Sequence, residues 1–389
     1  MRFTRWLLII CSLDKLNPKE NAVIDHSKKV KVLYITNGVN GSGGLERVLS
    51  TKASYFANTL DYSVHILCLN QSDPRLFYDF SNKIFFHYVK ASGGAVAYLK
   101  MYITSIQKVV DEVNPSVICV CDDGLKGVLL PIWLKIKNNI PLVYERHASI
   151  FLERSLIKRV LMRIGPYLYD RFVVLTKSNL REWYGSNLQV IPNPLSFQNI
   201  KSAMLENKTI ICVGSMSQNK GYDLLIDAWS KISHLHPDWS VEVYGKRDDS
   251  LYSLYQQKMK ELKVTPPVLF FPPEANIELK YQNASIFVLP SRSEGFGMVL
   301  IEAMAFGVPC VAFDCPSGPR DIISNKKDGY LVANGDVNEL AEKINLLIND
   351  VSLRKKMGEQ AIKSVQYYSI DQISKKWQDL FNALIEKKP

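Results

Sequence analysis

Short apolar runs alternate with stretches of helical period along almost the whole chain. VKVLYIT (30–36) is an unbroken run of strand length, and the residues after it put Leu45, Val48, Leu49, Phe56 and Leu60 on one helical stripe. SVHILCL (63–69), IFFHYV (84–89), VICVC (117–121), PLVYERH (141–147) and FVVLT (172–176) repeat the strand signal, with helical stretches between most of them. Strands apolar on both faces and separated by helices predict βαβ units, hence a parallel sheet covered on both sides. The pattern lapses over 192–208, where PNPLSFQNIKSAMLENK carries Pro, Asn and Lys without a strong period and reads as a linker. It restarts with TIICVG (209–214), SVEVYG (240–245), VLFFP (268–272), SIFVLP (285–290), PCVAF (309–313) and GYLVA (329–333). Helices are expected from near Gly221, Ser250, Glu274, Gly297 and Asp336, and two more close the chain at about 351–366 and 370–386. The pattern predicts an α/β protein of two doubly wound, Rossmann-like domains, 28–195 and 205–368, facing each other across a cleft, followed by a last helix over 369–389.

Composition agrees with this and removes other classes. The chain has 389 residues, 47% hydrophobic and 22% charged, which excludes disordered and fibrous folds. Seven cysteines are an odd number, scattered, with no zinc-type spacing; Cys119 and Cys121 fall in an apolar run and are expected as buried free thiols. No run approaches the roughly 18 apolar residues of a membrane span. MRFTRWLLIICSLDK begins basic and apolar, like a stunted signal peptide, but no small-residue cleavage site follows, so residues 1–27 are expected to be an N-terminal extension, with a membrane-touching segment as the alternative. The net charge of +10 points to an anionic partner, and half of it lies between Glu145 and Arg181.

Candidate chemistry gathers at the ends of the expected strands. In SRSEGFGMVLIEAMAFGVPCVAFDCPSGPRDI (291–322), Glu294 follows a strand, Gly295 and Gly297 follow it, and a helix opens. Backbone N–H groups at such a turn and the helix N-terminus suit a phosphate. Glu302 sits among Val299, Leu300, Ile301, Ala303 and Met304, where a carboxylate needs a partner such as a ligand hydroxyl or else must face solvent. In VGSMSQNKGYDLLIDAW (213–229), Lys220 opens a helix and can act as a point charge for a diphosphate. NGVNGSGGLERV (37–48) places Gly43 and Gly44 before a helix but matches neither GxGxxG nor a P-loop, which weakens a nicotinamide reading. His147 ends a strand on the same cleft, beside Arg146. The chain has no Asp-x-Asp, the usual carboxylate clamp for a metal-bound nucleotide diphosphate, and no GxSxG or HExxH. No cofactor and no metal are expected.

Together, Glu294-x7-Glu302 within SEGFGMVLIEAMAFGVPCVAFD, the GGLERV loop, the VG…KGYDLLIDAW element and SIFVLPSRSEGFG resemble the EX7E family 4 retaining glycosyltransferases, over roughly residues 30 to 385. The resemblance implies the GT-B fold, with the last helix crossing back to the first domain. It implies that Glu294 contacts the donor hexose and that Glu302 holds the nucleotide ribose. The N–H groups of Gly295, Phe296, Gly297, Met298 and Val299 would hold sugar hydroxyls and the β-phosphate. Lys220 would neutralise the diphosphate, Gly43 and Gly44 would approach it from the other domain, and His147 would touch the sugar. The implied chemistry is front-face substitution with retention, the leaving phosphate oxygen taking the acceptor proton. One departure stands out: Ser215 occupies the donor site where many members carry Arg, which leaves Lys220, Arg292, Arg320 or Lys246 to supply the charge.

FDCPSGPRDII (313–323) is similar to members that use UDP-linked galactose-type or N-acetylhexosamine-type sugars in bacterial surface polysaccharides. The expected partners are thus a UDP-sugar and a polyprenyl-diphosphate-linked or other glycan acceptor, with a GDP-mannose-dependent transferase as the alternative. FLERSLIKRVLMRIGPYLYDR (151–171) repeats Phe151, Leu152, Leu156, Val160 and Ile164 at helical spacing beside Arg154, Lys158, Arg159 and Arg163. This predicts a basic amphipathic helix, lying either on an anionic membrane or against the core. The expected location is cytoplasmic, peripheral on the inner face of the membrane. A basic nucleic-acid-binding protein is the rival from another class; no nucleic-acid-binding motif supports it.

Overall fold

The computed structural model describes residues 29–387 apart from 72–74, 90–91, 123, 137–138 and 154, so the expected extension over 1–27 lies outside the described residues. The described residues form two parallel sheets. The first contains β1 (Lys31–Thr36), β2 (Ser63–Cys68), β3 (Phe85–Tyr88), β4 (Val117–Val120), β5 (Leu142–Arg146), β6 (Arg171–Val174) and β7 (Leu188–Val190), in the order β3-β2-β1-β4-β5-β6-β7. Its helices are α1 (Gly44–Asn58), α2 (Ala95–Val113), α3 (Leu125–Trp133), α4 (Leu156–Met162) and α5 (Gly165–Leu168). The second contains β8 (Thr209–Val213), β9 (Ser240–Tyr244), β10 (Val268–Phe271), β11 (Ile286–Leu289), β12 (Cys310–Asp314) and β13 (Gly329–Ala333), in the order β10-β9-β8-β11-β12-β13. With it go α6 (Tyr222–Ile232), α7 (Asp249–Glu261), α8 (Ile277–Gln282), α9 (Met298–Ala305), α10 (Pro319–Ile322), α11 (Val337–Asn349) and α12 (Val351–Val365), and α13 (Ile370–Glu386) follows them in the chain.

The expected strands form within a residue or two of their sequence positions, because a wholly apolar run is stable only where both faces are covered. β4 and β11 are buried at every position. Two elements escaped the pattern. β7 is three residues long and only half-buried, and α10 has four residues; neither is long enough to show a period. The linker over 192–208 has no regular structure, yet it is packed. The Leu195 amide donates to the Tyr368 carbonyl (2.7 Å), the Ala203 amide to the Phe306 carbonyl (2.8 Å), and Leu195, Phe197 and Leu205 join the second domain's core.

The strand order reverses between β1 and β4 in one sheet and between β8 and β11 in the other. Loops at such switch points diverge and leave a crevice at the strands' carboxyl ends. The Gly-rich loop after β1 and the loops after β8 and β11 occupy these two crevices, facing each other. α13 closes the arrangement from behind. Its Ile373, Trp377, Leu380, Phe381 and Leu384 enter the first domain's core beside Val32, Leu49 and Phe56, and Phe381 meets Phe56 edge-on at 6.0 Å.

That core also holds a charge pair. Lys52 of α1 is buried and bonds Glu145 of β5, itself 1% exposed. The Lys52 ammonium also lies 4.2 Å above the Trp377 ring of α13 and 5.1 Å from that of Tyr34. Burial pushes the Glu145 carboxyl upward, but Lys52 and the His147 ring outweigh it and hold the pKa at about 2, below the ordinary 4.5. Removing one partner of a buried pair strands the other, so Lys52→Met is expected to cost about 3–5 kcal/mol of stability. The Lys52→Met/Glu145→Leu double variant should recover most of that loss. Because the folded pKa is depressed, the pair's contribution is complete above about pH 4.5 and fades as pH falls toward 2. Unfolding curves between pH 7 and 3 should show that acid slope in the native chain and a shallower one in the double variant.

Candidate active site

A cleft of about 800 Å³ separates the domains, and its lining contains the residues to which the resemblance assigns a donor-site role: Gly43, Gly44, His147, Ser215, Lys220, Glu294, Gly295, Phe296, Gly297, Met298, Val299 and Glu302. Local chain constraints bring them there. β11 ends at Leu289 and the chain turns through Pro290–Gly297 into α9. Gly297 caps α9 with φ +97°, a conformation that costs other L residues about 1 kcal/mol or more. Gly295 touches the opposite domain: a Cβ there would lie 2.0 Å from the His147 carbonyl oxygen. The two domains therefore meet backbone to backbone at the cleft floor.

Lys220 ends a 3-10 turn, Gln218–Lys220, after β8. The turn is tied to the β11 loop, because the Arg292 amide donates to the Asn219 carbonyl (2.8 Å) and Asn219 Nδ2 donates to the Ser293 carbonyl (2.8 Å). Lys220 Nζ then reaches Glu294 Oε1 at 2.7 Å. Glu302 had either to find a partner or to face solvent, and burial decides: it is 1% exposed. Arg47 of α1, in the first domain, donates to Glu302 Oε1 at 2.7 Å, and the Tyr281 hydroxyl donates to Oε2 at 3.0 Å. The Arg47 guanidinium lies between the Tyr78 ring (5.0 Å) and the Phe197 ring (5.3 Å). Burial opposes the Arg47 charge, but Glu302 more than compensates and raises its pKa further.

His147 directly follows β5, its side chain only 7% exposed, with Nε2 3.4 Å from Glu145 Oε2. The Lys52–Glu145 pair thus stands directly behind it. Cys121, Glu145 and His147 also lie close enough to suggest a metal site. The donor set argues for a cation already present: Lys52 occupies the carboxylate, and burial pushes the Cys121 thiol well up, away from the thiolate that ligates. The six described cysteines are all buried and free.

Sequence reasoning missed Arg47, Tyr281 and Lys52. Arg47 stood in the quoted GGLERV, four residues past Gly43, the position that faces the cleft on the first helical turn; its pairing with residue 302 had no local signal. Of the cations weighed against Ser215, Arg292 is bound bidentately by Asp223 (2.9 and 2.6 Å) and Arg320 by Asp314 (2.7 and 2.7 Å). Neither lines the cleft, whereas Lys246 does.

The expected single helix over 151–171 is corrected. The segment is a 3-10 turn, Ile150–Leu152, followed by the short α4 and α5, with Pro166 at the start of α5. Proline lacks the N–H that a continuous helix would use. Met162 and Tyr169 enter the first domain's core, but most of the apolar side chains do not: Leu156, Ile157, Val160 and Tyr167 are 62–74% exposed, and Phe151, Leu152, Leu161 and Ile164 are exposed as well. Arg154 lies outside the described residues. The patch adjoins the cleft through Ser149–Ile150. There the buried Glu182 accepts from Ser149 Oγ (3.1 Å), the Ile150 amide (2.7 Å) and Ser317 Oγ of the other domain. Among the described residues no helix is long and apolar enough to cross a membrane.

Residues 197–364 match the family model of group 1 glycosyl transferases. The architecture of the whole chain resembles a mutant of S. aureus TarM crystallised with UDP, at TM-score 0.77 and 14% identity, covering 91% of this chain and 100% of that one. The fold is GT-B. Three bacterial relatives cover most of the chain. An uncharacterised glycosyltransferase of Haemophilus influenzae is 27% identical, over 90% of this chain and 99% of its own. An amylovoran biosynthesis glycosyltransferase of Erwinia amylovora is 27% identical, over 90% and 99%. A Campylobacter jejuni N-acetyl-D-galactosaminyltransferase, whose name gives an undecaprenyl-diphosphate-linked glycan as its substrate, is 24% identical, over 90% and 97%.

The Arg47–Glu302 pair predicts coupling between the two halves of the GT-B fold. A double-mutant cycle with Arg47→Met and Glu302→Gln, read by chemical unfolding, should give an interaction energy of roughly 1–3 kcal/mol. Additive single effects would show that the pair does not join the domains.

Proposed function

We propose that the cleft transfers a hexose or N-acetylhexosamine from a UDP-sugar to a lipid-linked glycan, with retention at the anomeric carbon. The setting we infer is assembly of a bacterial surface polysaccharide such as capsule, O-antigen or exopolysaccharide. The observation that carries this reading is one cleft in which Glu294 and Glu302 bracket the turn into α9, with Lys220 beside them and Gly43–Gly44 opposite. UDP in the TarM crystal and the lipid-linked substrate in the C. jejuni relative's name support the donor and acceptor classes.

In this reading Glu302 accepts from the ribose hydroxyls and Glu294 from the sugar. Lys220, the α9 N-terminus and the N–H groups of Gly295 to Val299 take the charge of the β-phosphate. The bond from C1 to the phosphate oxygen breaks while the acceptor oxygen bonds C1 on the same face. The acceptor proton passes to the departing phosphate oxygen, so no side chain serves as nucleophile. His147, backed by Glu145 and Lys52, is held against the sugar. The exposed apolar patch over 151–167, with Lys158, Arg159 and Arg163 interspersed, supports a peripheral position on the inner face of the cytoplasmic membrane, where a polyprenyl-linked acceptor would lie.

Thermal unfolding with UDP, GDP and UDP-sugars, with and without EDTA, tests the donor. A ligand at ~100 times its Kd should stabilise by about 2.7 kcal/mol. UDP stabilisation that survives EDTA is expected; a shift with GDP alone would replace the reading with mannosyl transfer. Glu302→Gln and Lys220→Ala should abolish transfer with the fold intact, and wild-type turnover in either would remove their roles. In flotation assays, Ile157→Glu/Val160→Glu should lose binding to vesicles rich in phosphatidylglycerol. Equal recovery of native and variant chains would overturn the membrane assignment.

A further inference from the structure

The charged residues lining the cleft are three cations, Arg47, Lys220 and Lys246, and three carboxylates, Glu274, Glu294 and Glu302. Two of the cations are already engaged, Arg47 with Glu302 and Lys220 with Glu294, both at 2.7 Å. Lys246 enters none of the ion pairs among the described residues. A nucleotide diphosphate brings at least two negative charges into this space, and the engaged cations can meet them only by loosening existing pairs.

The backbone fixes where Lys246 stands. β8 and β9 are paired in parallel from Thr209–Ser240 to Val213–Tyr244, so they end level. The zipper continues beyond the strands: the Gly214 amide donates to the Tyr244 carbonyl (2.9 Å) and the Met216 amide to the Lys246 carbonyl (2.8 Å). Gly245 lies against the Gly214 carbonyl, and the Lys220 stem packs on the other side of Gly214. Gly214–Ser215 is therefore flanked by Lys220 and by Lys246, and Ser215 itself offers only an exposed hydroxyl.

We propose that Lys246 is a second diphosphate-binding cation of the donor site, supplying from the neighbouring strand the charge that Ser215 lacks. The proposal rests on the reading of the cleft as a UDP-sugar site. Lys246 is exposed and enters no ion pair among the described residues, so Lys246→Ala should fold and melt like the native chain without ligand.

Calorimetric titration of the full-length protein with UDP and with uridine tests the assignment. Lys246→Ala should weaken UDP binding roughly ten- to a hundredfold, the worth of one charge-assisted hydrogen bond, and leave uridine binding unchanged. Lys246→Arg should retain UDP affinity. Adding Ser215→Arg to Lys246→Ala should restore it, because the new guanidinium would enter the same space from the adjacent strand end. Unchanged UDP affinity in Lys246→Ala would overturn the proposal and leave the donor reading standing. An equal loss for UDP and uridine would also overturn it, making Lys246 a base or ribose contact. A native chain that binds neither ligand would remove the donor reading and the proposal together.

Discussion

Glu302 is a carboxylate built into the apolar helix MVLIEAMA and shut off from water, and such a charge persists only where the structure supplies donors. One donor, Tyr281, comes from its own domain; the other, Arg47, comes from the opposite one. The requirement to satisfy this single carboxylate therefore acts between domains. It draws the first turn of α1 onto α9, and the Gly-rich loop that precedes α1 travels with it. The close approach of Gly295 to the His147 carbonyl and the bond from Ser317 to Glu182 set the same closure at other points of the cleft.

A second buried carboxylate plays a matching part inside the first domain. Glu145 takes its compensation from Lys52, and Lys52 in turn lies over Trp377 of the returning α13. The helix that ties the chain's end to the first domain thus packs on the charge network standing behind His147. Core packing and site geometry share the same atoms here, so a change made for stability at Lys52 would be felt at His147 on the cleft wall.

Charge around the cleft is arranged locally. Arg292 and Arg320 are each consumed by a carboxylate on their own domain, whereas the basic residues near 151–167 sit among apolar side chains that no part of the described chain covers. Half of the net +10 falls between Glu145 and Arg181, the stretch that also has exposed apolar surface to offer.

The sequence by itself determined the two parallel sheets, their order of alternation with helices, and the turns on which the site is built. Strand and helix periods report burial relative to an element's own sheet, and a strand followed by glycines and a helix places its loop at the sheet's carboxyl end wherever it lies. This is why Lys220, Glu294, Glu302 and the glycines were legible. Periodicity is silent about which side chain meets which across the cleft. Arg47 and Glu302 are 255 positions apart, and Lys52 and Glu145 are 93 apart. The apolar face over 151–167 has helical spacing whether it packs inward or outward. Only the tertiary structure decided these, because the partner of a buried charge and the cover of an apolar face are fixed by how whole domains dock.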